Sequence, residues 1–360
     1  MACRSRSVST GHLTMPSRRS DLTAKSLLFA VGLALLEAAS SAARADDKHR
    51  VTLLEENDSL YFNTDKHYTQ GFLGTYLGPD IHPGSGWEAP FRWLGTSGLI
   101  FADTPDRSRR VAWQFGQSIF TPKDVQRVPP DPRDRPYAGW LYTGASLIQE
   151  SDGRILESIE VELGVVGPAA LGREVQNNFH QLIGKETAKG WGSQLQNEPG
   201  ITISYKRAWR APLLGDGTSG LDVVPVAGPT VGNVFTYGEV GGFFRFGRNL
   251  GVDYGPLRVR PALSGTSYFN GDRLEGNFGY YFFAGTQGRV VGQNIFLDGN
   301  TFRQSASVPK KTLVADLQAG FSVFWSTAWR VDFMVDRRTE EFHGQATPDV
   351  IGTAALSFSW

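Results

Sequence analysis

The chain of 360 residues carries 36 basic and 36 acidic side chains, so its formal net charge at pH 7 is zero. This balance excludes the broad positive field by which proteins bind nucleic acid. The single cysteine, Cys3, excludes a disulfide and a CxxC metal knuckle. After residue 46 no uninterrupted apolar stretch of about 18 residues occurs, which excludes a helical membrane protein and leaves a membrane β-barrel or a soluble all-β protein.

Residues 1–45 have the layout of a secretory signal peptide. Basic residues precede the apolar run Leu27 to Leu36, and Ala43-Arg44-Ala45 offers an A-x-A cleavage site. The apolar run is shorter than the roughly 20 residues that span a bilayer. The pair Arg18-Arg19 leaves twin-arginine export open, but apolar residues do not follow it, so Sec export is favoured. The mature protein is expected to be one domain, residues 46–360.

Alternating side chains favour a barrel over a soluble all-β protein. From Ile159 to Val165 every odd-numbered residue is apolar, whereas the even-numbered ones are Glu, Glu and Gly. The segment Trp329 to Asp336 repeats this alternation with Arg and Asp on the second face. Charges on that face are costly in a dry core, but a polar lumen accommodates them. Residues 350–360 alternate as well and end on the aromatic Trp360, which resembles the terminal strand recognised by the outer-membrane assembly machinery.

Strand candidates continue along the mature chain. They are 49–57, 69–78, 109–121, 139–151, 154–167, 200–211, 221–233, 235–247, 259–269, 278–293, 312–325, 329–342 and 350–360. Single-chain bacterial barrels have an even number of strands. One candidate between residues 221 and 293 is therefore expected to be wrong, and the prediction is a transmembrane antiparallel β-barrel of twelve strands.

Two stretches depart from the strand pattern. Residues 79–108 are rich in Gly and Pro and are predicted to be a long loop. Residues 169–184 are predicted to form a short helix in an extracellular loop, because a proline precedes them, a glycine ends them and an apolar stripe runs along them. On this helix Gln176 and His180 are four residues apart and share a face.

Polar clusters are expected to converge at one rim of the barrel if the N-terminus lies in the periplasm. His180 is the candidate general base, since an imidazole titrates near neutral pH. The alternative is a helix histidine satisfied by Glu186 or solvent. Glu56, Asn57 and Asp58 offer the hard oxygen ligands that suit Ca²⁺, although acids at a strand end are often simply solvated.

Two further residues are weaker candidates. Thr75, on the second strand, offers a hydroxyl that would help to hold an oxyanion, but an ordinary lumen-facing threonine is the competing interpretation. Lys123, in a loop, would bind phosphate or orient a water, whereas most single loop lysines only keep a surface soluble.

Four motifs occur in order along the mature chain. They are Glu56-Asn57-Asp58, Tyr68-Thr69-x-Gly71, Asp134-Arg135-Pro136-Tyr137-Ala138-Gly139-Trp140 and Gln176-Asn177-x-x-His180-x-x-Ile183-Gly184. Together they resemble the outer-membrane lipid A 3'-O-deacylase family, over essentially the whole mature chain. The resemblance implies a twelve-stranded barrel with a Ca²⁺-dependent site between its wall and an outward-facing helix. It also implies hydrolysis of the ester that holds the 3'-linked acyloxyacyl group of lipid A.

The resemblance assigns roles to individual residues. It implies that His180 activates the water, with Gln176 and Glu186 nearby on the same helical region. Asn57 and Asp58 match the family's first-strand pair, which supports Ca²⁺ binding. Thr75 stands where the family has a serine, and Lys123 is matched by approximate spacing alone. The substrate is then lipopolysaccharide in the outer leaflet, and no oligomeric state is predicted.

Two alternatives stay open at this point. One is an outer-membrane phospholipase A, but none of the mature chain's histidines has the Ser two residues later that its H-x-S context requires. The other is a passive porin, for which a helix and a His/Asp/Asn cluster at the rim are unnecessary.

Overall fold

The computed structural model describes residues 49–58, 66–216, 219–259 and 267–360. The predicted signal peptide, residues 1–45, lies outside these ranges. The strands are β1 (Arg50–Asn57), β2 (His67–Leu77), β3 (Arg107–Thr121), β4 (Ala138–Ser151), β5 (Ile155–Val166), β6 (Glu198–Trp209), β7 (Ala211–Gly215), β8 (Ser219–Gly232), β9 (Phe235–Arg248), β10 (Phe278–Asn294), β11 (Leu313–Trp325), β12 (Trp329–Arg338) and β13 (Asp349–Ser359). The helices are α1 (Glu88–Leu94), α2 (Gly172–Leu182) and α3 (Ile295–Asp298).

The strands close into a ring of twelve antiparallel segments. Neighbours along the chain pair with each other, and β1 pairs with β13, with Asn57 opposite Gly352. The short β7 follows β6 after one residue, and both pair with β8, so the two form one side of the ring. The predicted fold and strand number are therefore confirmed. The strand predicted over 259–269 is wrong in its described part, because Val259 and residues 267–269 have no strand structure.

Local sequence explains how neighbouring strands are joined. Between β4 and β5 the chain turns at Asp152 and Gly153, whose φ angles are 53° and 64°. Two consecutive positive φ angles match the twist of a right-handed hairpin, and Asp-Gly adopts them readily. The amide of Arg154 donates to the carbonyl of Ser151 at 3.0 Å and closes the turn.

The predicted alternation of faces is present in the wall. Leu163 is 53% exposed on the outside, whereas Glu162 is buried on the inside. On β12 the side chain of Trp329 is exposed, and Arg330 is buried with Asp332 at 2.7 Å. An apolar outside and a charged inside are typical of a barrel whose wall meets lipid.

The loop between β9 and β10 runs into the lumen. Arg258 in this loop lies 2.9 Å from Glu56 of β1 and 3.2 Å from Asp336 of β12. Tyr254 donates to Glu150 of β4 at 3.0 Å. These contacts connect opposite parts of the wall through the lumen, which disfavours the alternative of a passive porin. The described part of this loop is called the plug, residues 249–259 and 267–277.

Helices α1 and α2 lie against the outside of the wall, whereas α3 packs on the lumen side, where Phe296 stacks on Phe120 with ring centroids 4.0 Å apart. The stretch 79–108, predicted to be loop throughout, contains α1, whose Pro90 is tolerated because it sits in the first turn. Helix α2 is shorter than the predicted 169–184, since Leu171 has a φ of 58° and interrupts it. Within the described ranges no helix is long and apolar enough to cross a bilayer. The end of the barrel near α2 is called the helix end, and the end at Trp360 the terminal end.

Candidate active site

The candidate site lies on the outward face of the wall at the helix end. Asn57 pairs with Gln70, Gln70 with Ile119, and Ile119 with Gly139, across β1 to β4. Residues paired in register on adjacent strands point to the same face. Ile119 shares its face with Phe115, which is 52% exposed on the outside of the barrel. Asn57 therefore points outward and not into the lumen.

The loop 167–197, which carries α2, covers this face. A side chain at Gly139 would place its Cβ 3.0 Å from Ala170 and 3.3 Å from the amide nitrogen of Gly172. Glycine at this position thus allows the loop to approach the wall. Gln117 donates its amide to the carbonyl of Ala170 at 2.6 Å. Because of this cover, Gln117 and Ile119 are buried although they face outward.

His180 is buried on α2, and its ring contacts a backbone carbonyl. Its Nδ1 lies 2.7 Å from the carbonyl oxygen of Glu186. A carbonyl oxygen only accepts hydrogen bonds, so Nδ1 carries the proton and Nε2 is the basic nitrogen of the neutral ring. The predicted closeness of Glu186 is observed, but the backbone makes the contact and the side chain is exposed.

Gln176 supports the loop around His180. Its Oε1 accepts a hydrogen bond from Nε1 of Trp191 at 2.8 Å, and Trp191 packs against Tyr137 with ring centroids 4.9 Å apart. The next residue, Asn177, accepts a hydrogen bond through its Oδ1 from the backbone amide of Ala188 at 2.9 Å. The structure thus gives Gln176 a supporting contact with an indole, on the same helix as His180.

The chain on either side of residues 59–65 is fixed by a carboxylate and a histidine. Oδ2 of Asp58 accepts from the amide of Lys66 at 2.7 Å. The next residue, His67, lies with Nδ1 2.7 Å from Asp349 and Nε2 3.6 Å from Asp134. His67 was not predicted to be a site residue, although this histidine directly precedes the motif at Tyr68.

Asp134 connects this histidine to the loop that contains Lys123. Its Oδ2 accepts from the backbone amide of Lys123 at 2.8 Å, and its Oδ1 accepts from the amide of Arg135 at 2.8 Å. Burial alone would raise the pKa of Asp134, but the hydrogen bonds with His67 and with these two amides outweigh burial and lower that pKa. Lys123 is therefore fixed through its backbone, whereas its side chain is exposed.

Glu56 faces the lumen, and this corrects the expectation that it helps to bind Ca²⁺ beside Asn57. Successive residues of a strand point to opposite faces. The carboxylate of Glu56 accepts from Tyr68 at 3.0 Å, from Arg258 at 2.9 Å and from the amide of Val259 at 3.2 Å. Its oxygens are thus engaged with the plug.

Thr75 also requires a correction. It pairs with Thr52, five positions along β1 from Asn57, so it lies about 17 Å away at roughly 3.3 Å per residue. Its side chain is buried on the lumen side of the wall. The hydroxyl at the rim belongs instead to Thr69, whose Oγ1 is 2.7 Å from Oγ1 of Thr121. Thr69 is the extra residue of a bulge in β2, and the sequence of the second motif did not predict this bulge.

The donors at the rim are chemically suited to Ca²⁺. Asn57 and Asp58 offer an amide oxygen and a carboxylate, and such hard oxygens are completed by backbone carbonyls and waters in many calcium sites. No group of three or more His, Cys, Asp or Glu side chains gathers in metal-binding geometry among the described residues. A site here would accordingly depend on neutral oxygens as well as on Asp58.

The family described as outer membrane protein LpxR matches residues 27–360. Among solved structures, LpxR from Salmonella typhimurium has a TM-score of 0.67 at 20% identity, covering 86% of this chain and 99% of that chain. The beta domain of the Bordetella autotransporter BrkA has a TM-score of 0.39 at 10% identity, covering 87% and 98%. The KdgM porin has a TM-score of 0.35 at 7% identity, covering 86% and 99%.

The family match and the Salmonella structure agree with each other. No curated protein sequence matches the chain. The solved structure supports the closed barrel of twelve strands, and the family match extends from within the predicted signal peptide to Trp360. The chain therefore belongs to the outer-membrane LpxR family, the family of lipid A deacylases that its four motifs resemble.

Proposed function

We propose that this protein hydrolyses the ester that holds the 3'-linked acyloxyacyl group of lipid A, using a water activated by His180. The observation that carries the proposal is that the buried histidine belongs to the loop 167–197, which covers the outward face of the wall. A site inside the lumen would receive soluble molecules. A site on the outward face at the rim is reached from the lipid leaflet, where the ester of an amphiphile lies.

His180 supplies the proton transfers of this reaction. Its Nε2 takes a proton from water while the water oxygen attacks the ester carbonyl carbon. When the tetrahedral intermediate collapses, the same proton passes to the sugar oxygen, and the acyl group leaves as a carboxylic acid. The carbonyl of Glu186, 2.7 Å from Nδ1, keeps the ring oriented and favours its transient positive charge. No covalent acyl-enzyme is needed.

Polar groups of β1 and β2 are positioned to stabilise the oxyanion. Asn57 points to the same face that the loop 167–197 covers, and its amide is a hydrogen-bond donor. The hydroxyl of Thr69 offers a second donor at this rim. A bound Ca²⁺ would be held by Asp58 and by the side-chain oxygen of Asn57, and it would supply positive charge near the ester oxygen. Preorganised donors of this kind stabilise charge that develops only in the transition state.

The orientation of the barrel is part of the proposal. Lipid A occupies the outer leaflet, so the helix end has to face the cell exterior. The terminal end, where β1 begins and β13 ends, then faces the periplasm. This arrangement agrees with the predicted export signal and with the inferred assembly through the terminal strand.

Mass spectrometry of lipid A tests the proposed reaction. The full chain is produced in a Gram-negative host whose lipid A keeps its 3'-acyloxyacyl group, and the lipid A is analysed from membranes and after detergent extraction. We expect the mass of one acyloxyacyl group to be lost. Intact lipid A under both conditions, from a barrel that is folded by its heat-dependent mobility on gels, would contradict the proposal. Labelling by a serine-directed fluorophosphonate would instead favour the phospholipase-type alternative.

A further inference from the structure

A row of polar side chains crosses the outward face of the barrel near the terminal end. Arg109 of β3 pairs with Gln149 of β4, Gln149 with Glu157 of β5, and Glu157 with Arg207 of β6. The row shares its face with Trp113, which is 49% exposed. Charged side chains on this face would meet lipid, which is destabilising. A barrel with such a row needs a cover over it.

The long connection between β2 and β3, residues 78–106, supplies that cover and is called the collar. The carbonyl of Ala102 accepts from Gln149 at 2.7 Å, and the amide of Phe101 donates to Glu157 at 3.1 Å. The ring of Phe91 on α1 lies 5.3 Å from the guanidinium of Arg109. Gln149 and Glu157 are consequently buried although their strands direct them outward.

The collar presents large apolar side chains in place of the row that it covers. Trp87, Trp93 and Leu99 are 51%, 75% and 74% exposed. Elsewhere at the terminal end, aromatic residues form a belt on the wall itself. Trp329 packs against Phe358 in a tilted arrangement with ring centroids 4.6 Å apart, and Phe358 stacks on Trp360. Aromatic belts of this kind mark the lipid interface in outer-membrane barrels.

We propose that the collar lies in the phospholipid interface of the leaflet at the terminal end and completes the aromatic belt over β3 to β6. The occupant is lipid because the exposed side chains are continuous with the lipid-facing wall. Trp87 contacts Trp113 edge to face at 6.4 Å. Leu99 borders a groove of about 1160 Å³ that extends along the outward face past Trp209 and Val240.

The charge pattern of α1 is consistent with this position. Arg92 is exposed on the helix beside Trp93. An arginine next to tryptophan on a short surface helix suits the boundary between phosphate headgroups and acyl chains. The inference does not depend on the proposed reaction, because the collar lies at the other end of the barrel from His180.

A fluorescent label on a single introduced cysteine tests the position of the collar. The only natural cysteine is Cys3, within the predicted signal peptide, so Trp93→Cys and, separately, Leu99→Cys place one thiol in the mature chain. The matched control is Arg133→Cys in a loop at the helix end, where the side chain is 86% exposed. Each labelled barrel is reconstituted in vesicles of phosphatidylethanolamine and phosphatidylglycerol, with or without brominated acyl chains.

We expect brominated lipid to quench the label at positions 93 and 99 at least about twofold more than at position 133, and aqueous iodide to show the reverse order. Iodide quenching at 93 and 99 equal to that at 133, without quenching by brominated lipid, would overturn the proposal. Disulfide cross-linking between two chains at position 93, with shielding from both quenchers, would overturn it in favour of a second copy. Lipid A hydrolysis is measured on the same samples, and turnover within about twofold of wild type shows that the barrel is intact.

Discussion

Two loops fold back over the outward face of this barrel at opposite ends, and both bury polar side chains there. The loop 167–197 covers Gln117 and holds His180, which is 5% exposed. The collar covers Gln149 and Glu157, and its own outer surface exposes Trp93. The first loop keeps a polar surface between itself and the wall, where we propose that the reaction takes place. The second hides a polar surface and replaces it with an apolar one.

The difference shows how to interpret a polar residue on a lipid-facing strand. In a barrel wall such a residue signals that another part of the chain lies over it. Whether the cover serves catalysis or membrane contact depends on what the covering segment contributes. A histidine with an oriented ring indicates the former, and exposed tryptophans indicate the latter. Substitutions in a catalytic cover should lower activity, whereas substitutions in a membrane-facing cover should lower stability.

The largest expected effect on turnover follows from His180→Ala. Loss of a general base costs on the order of 10²- to 10⁴-fold in rate, so lipid A hydrolysis should fall by that amount while the heat stability of the barrel is kept. Glu186→Ala is the matched control, because the carbonyl that contacts His180 remains. Its rate should stay within a few-fold of wild type. Full activity of His180→Ala would show that the loop covers the wall without taking part in the reaction.

Removal of the metal should have the next largest effect. Chelation with EDTA is expected to lower turnover on the order of 10²-fold, as does loss of an oxyanion-stabilising group, and added Ca²⁺ should restore it. Asp58→Asn should raise the Ca²⁺ concentration needed for half-maximal activity. Undiminished turnover in calcium-free buffer would remove the ion from the proposed reaction.

A pair of threonine substitutions tests which face of the wall is catalytic. Thr69→Val removes the hydroxyl at the rim and should lower turnover about tenfold, the usual result of losing one neutral hydrogen bond. Thr75→Val removes a lumen hydroxyl of the same strand and should leave turnover unchanged. Equal losses for the two variants, measured by mass spectrometry of lipid A, would contradict the assignment of the site to the outward face.

Substitution in the collar should affect stability and leave chemistry nearly untouched. Phe91 is fully buried between Arg109 and Phe101. Phe91→Ala should lower the free energy of unfolding by about 3 kcal/mol, the usual result of removing a buried ring. We expect a lower midpoint for heat-induced unfolding on gels and a turnover within about twofold. A large loss of turnover with unchanged stability would reverse the roles given to the two loops.

The smallest effect is a pH dependence at the rim. The pKa of Asp134 is lowered in the folded protein, so its contribution to stability is present above the ordinary aspartate pKa and is lost as the pH falls through the folded value. Asp134→Asn should therefore be less stable than wild type at pH 7, and the difference should shrink as the pH falls below the ordinary aspartate pKa. Unfolding midpoints of both proteins across this range give the comparison.

The sequence was sufficient for the fold because alternation has a fixed period. Outward residues such as Leu163 and inward ones such as Glu162 follow from a repeat of two, and the helix at His180 follows from its flanking proline and glycine. The same alternation places Glu56 and Asn57 on opposite faces of β1, so a metal site that includes both was a wrong prediction. Asp58 lies beyond the end of β1, where the alternation no longer applies. Arg109 and Gln149 are polar residues at outward-facing positions, and this pattern indicates that another segment covers them, as the collar does.

Other features of the site depend on register, which one sequence does not contain. The bulge leaves Thr69 without a ladder partner near the start of β2, whereas Thr75 has the same chemistry at a different position along the strand. The carbonyl of Glu186 that orients His180 depends on how the chain returns after α2. Composition likewise concealed α1, because a helix with Pro90 in its first turn resembles a loop.

For the proposed reaction, ring closure also sets the moment at which the site is assembled. Asn57 lies on β1, which pairs with β2 on one side and with β13 on the other. The outward face near Asn57 is therefore incomplete until the first and last strands of the ring have joined. A chain that is still unfolded on its way to the membrane therefore lacks the continuous outward face that carries Asn57 and that the loop 167–197 covers at β3 and β4. The proposed reaction would then begin only with insertion into the bilayer.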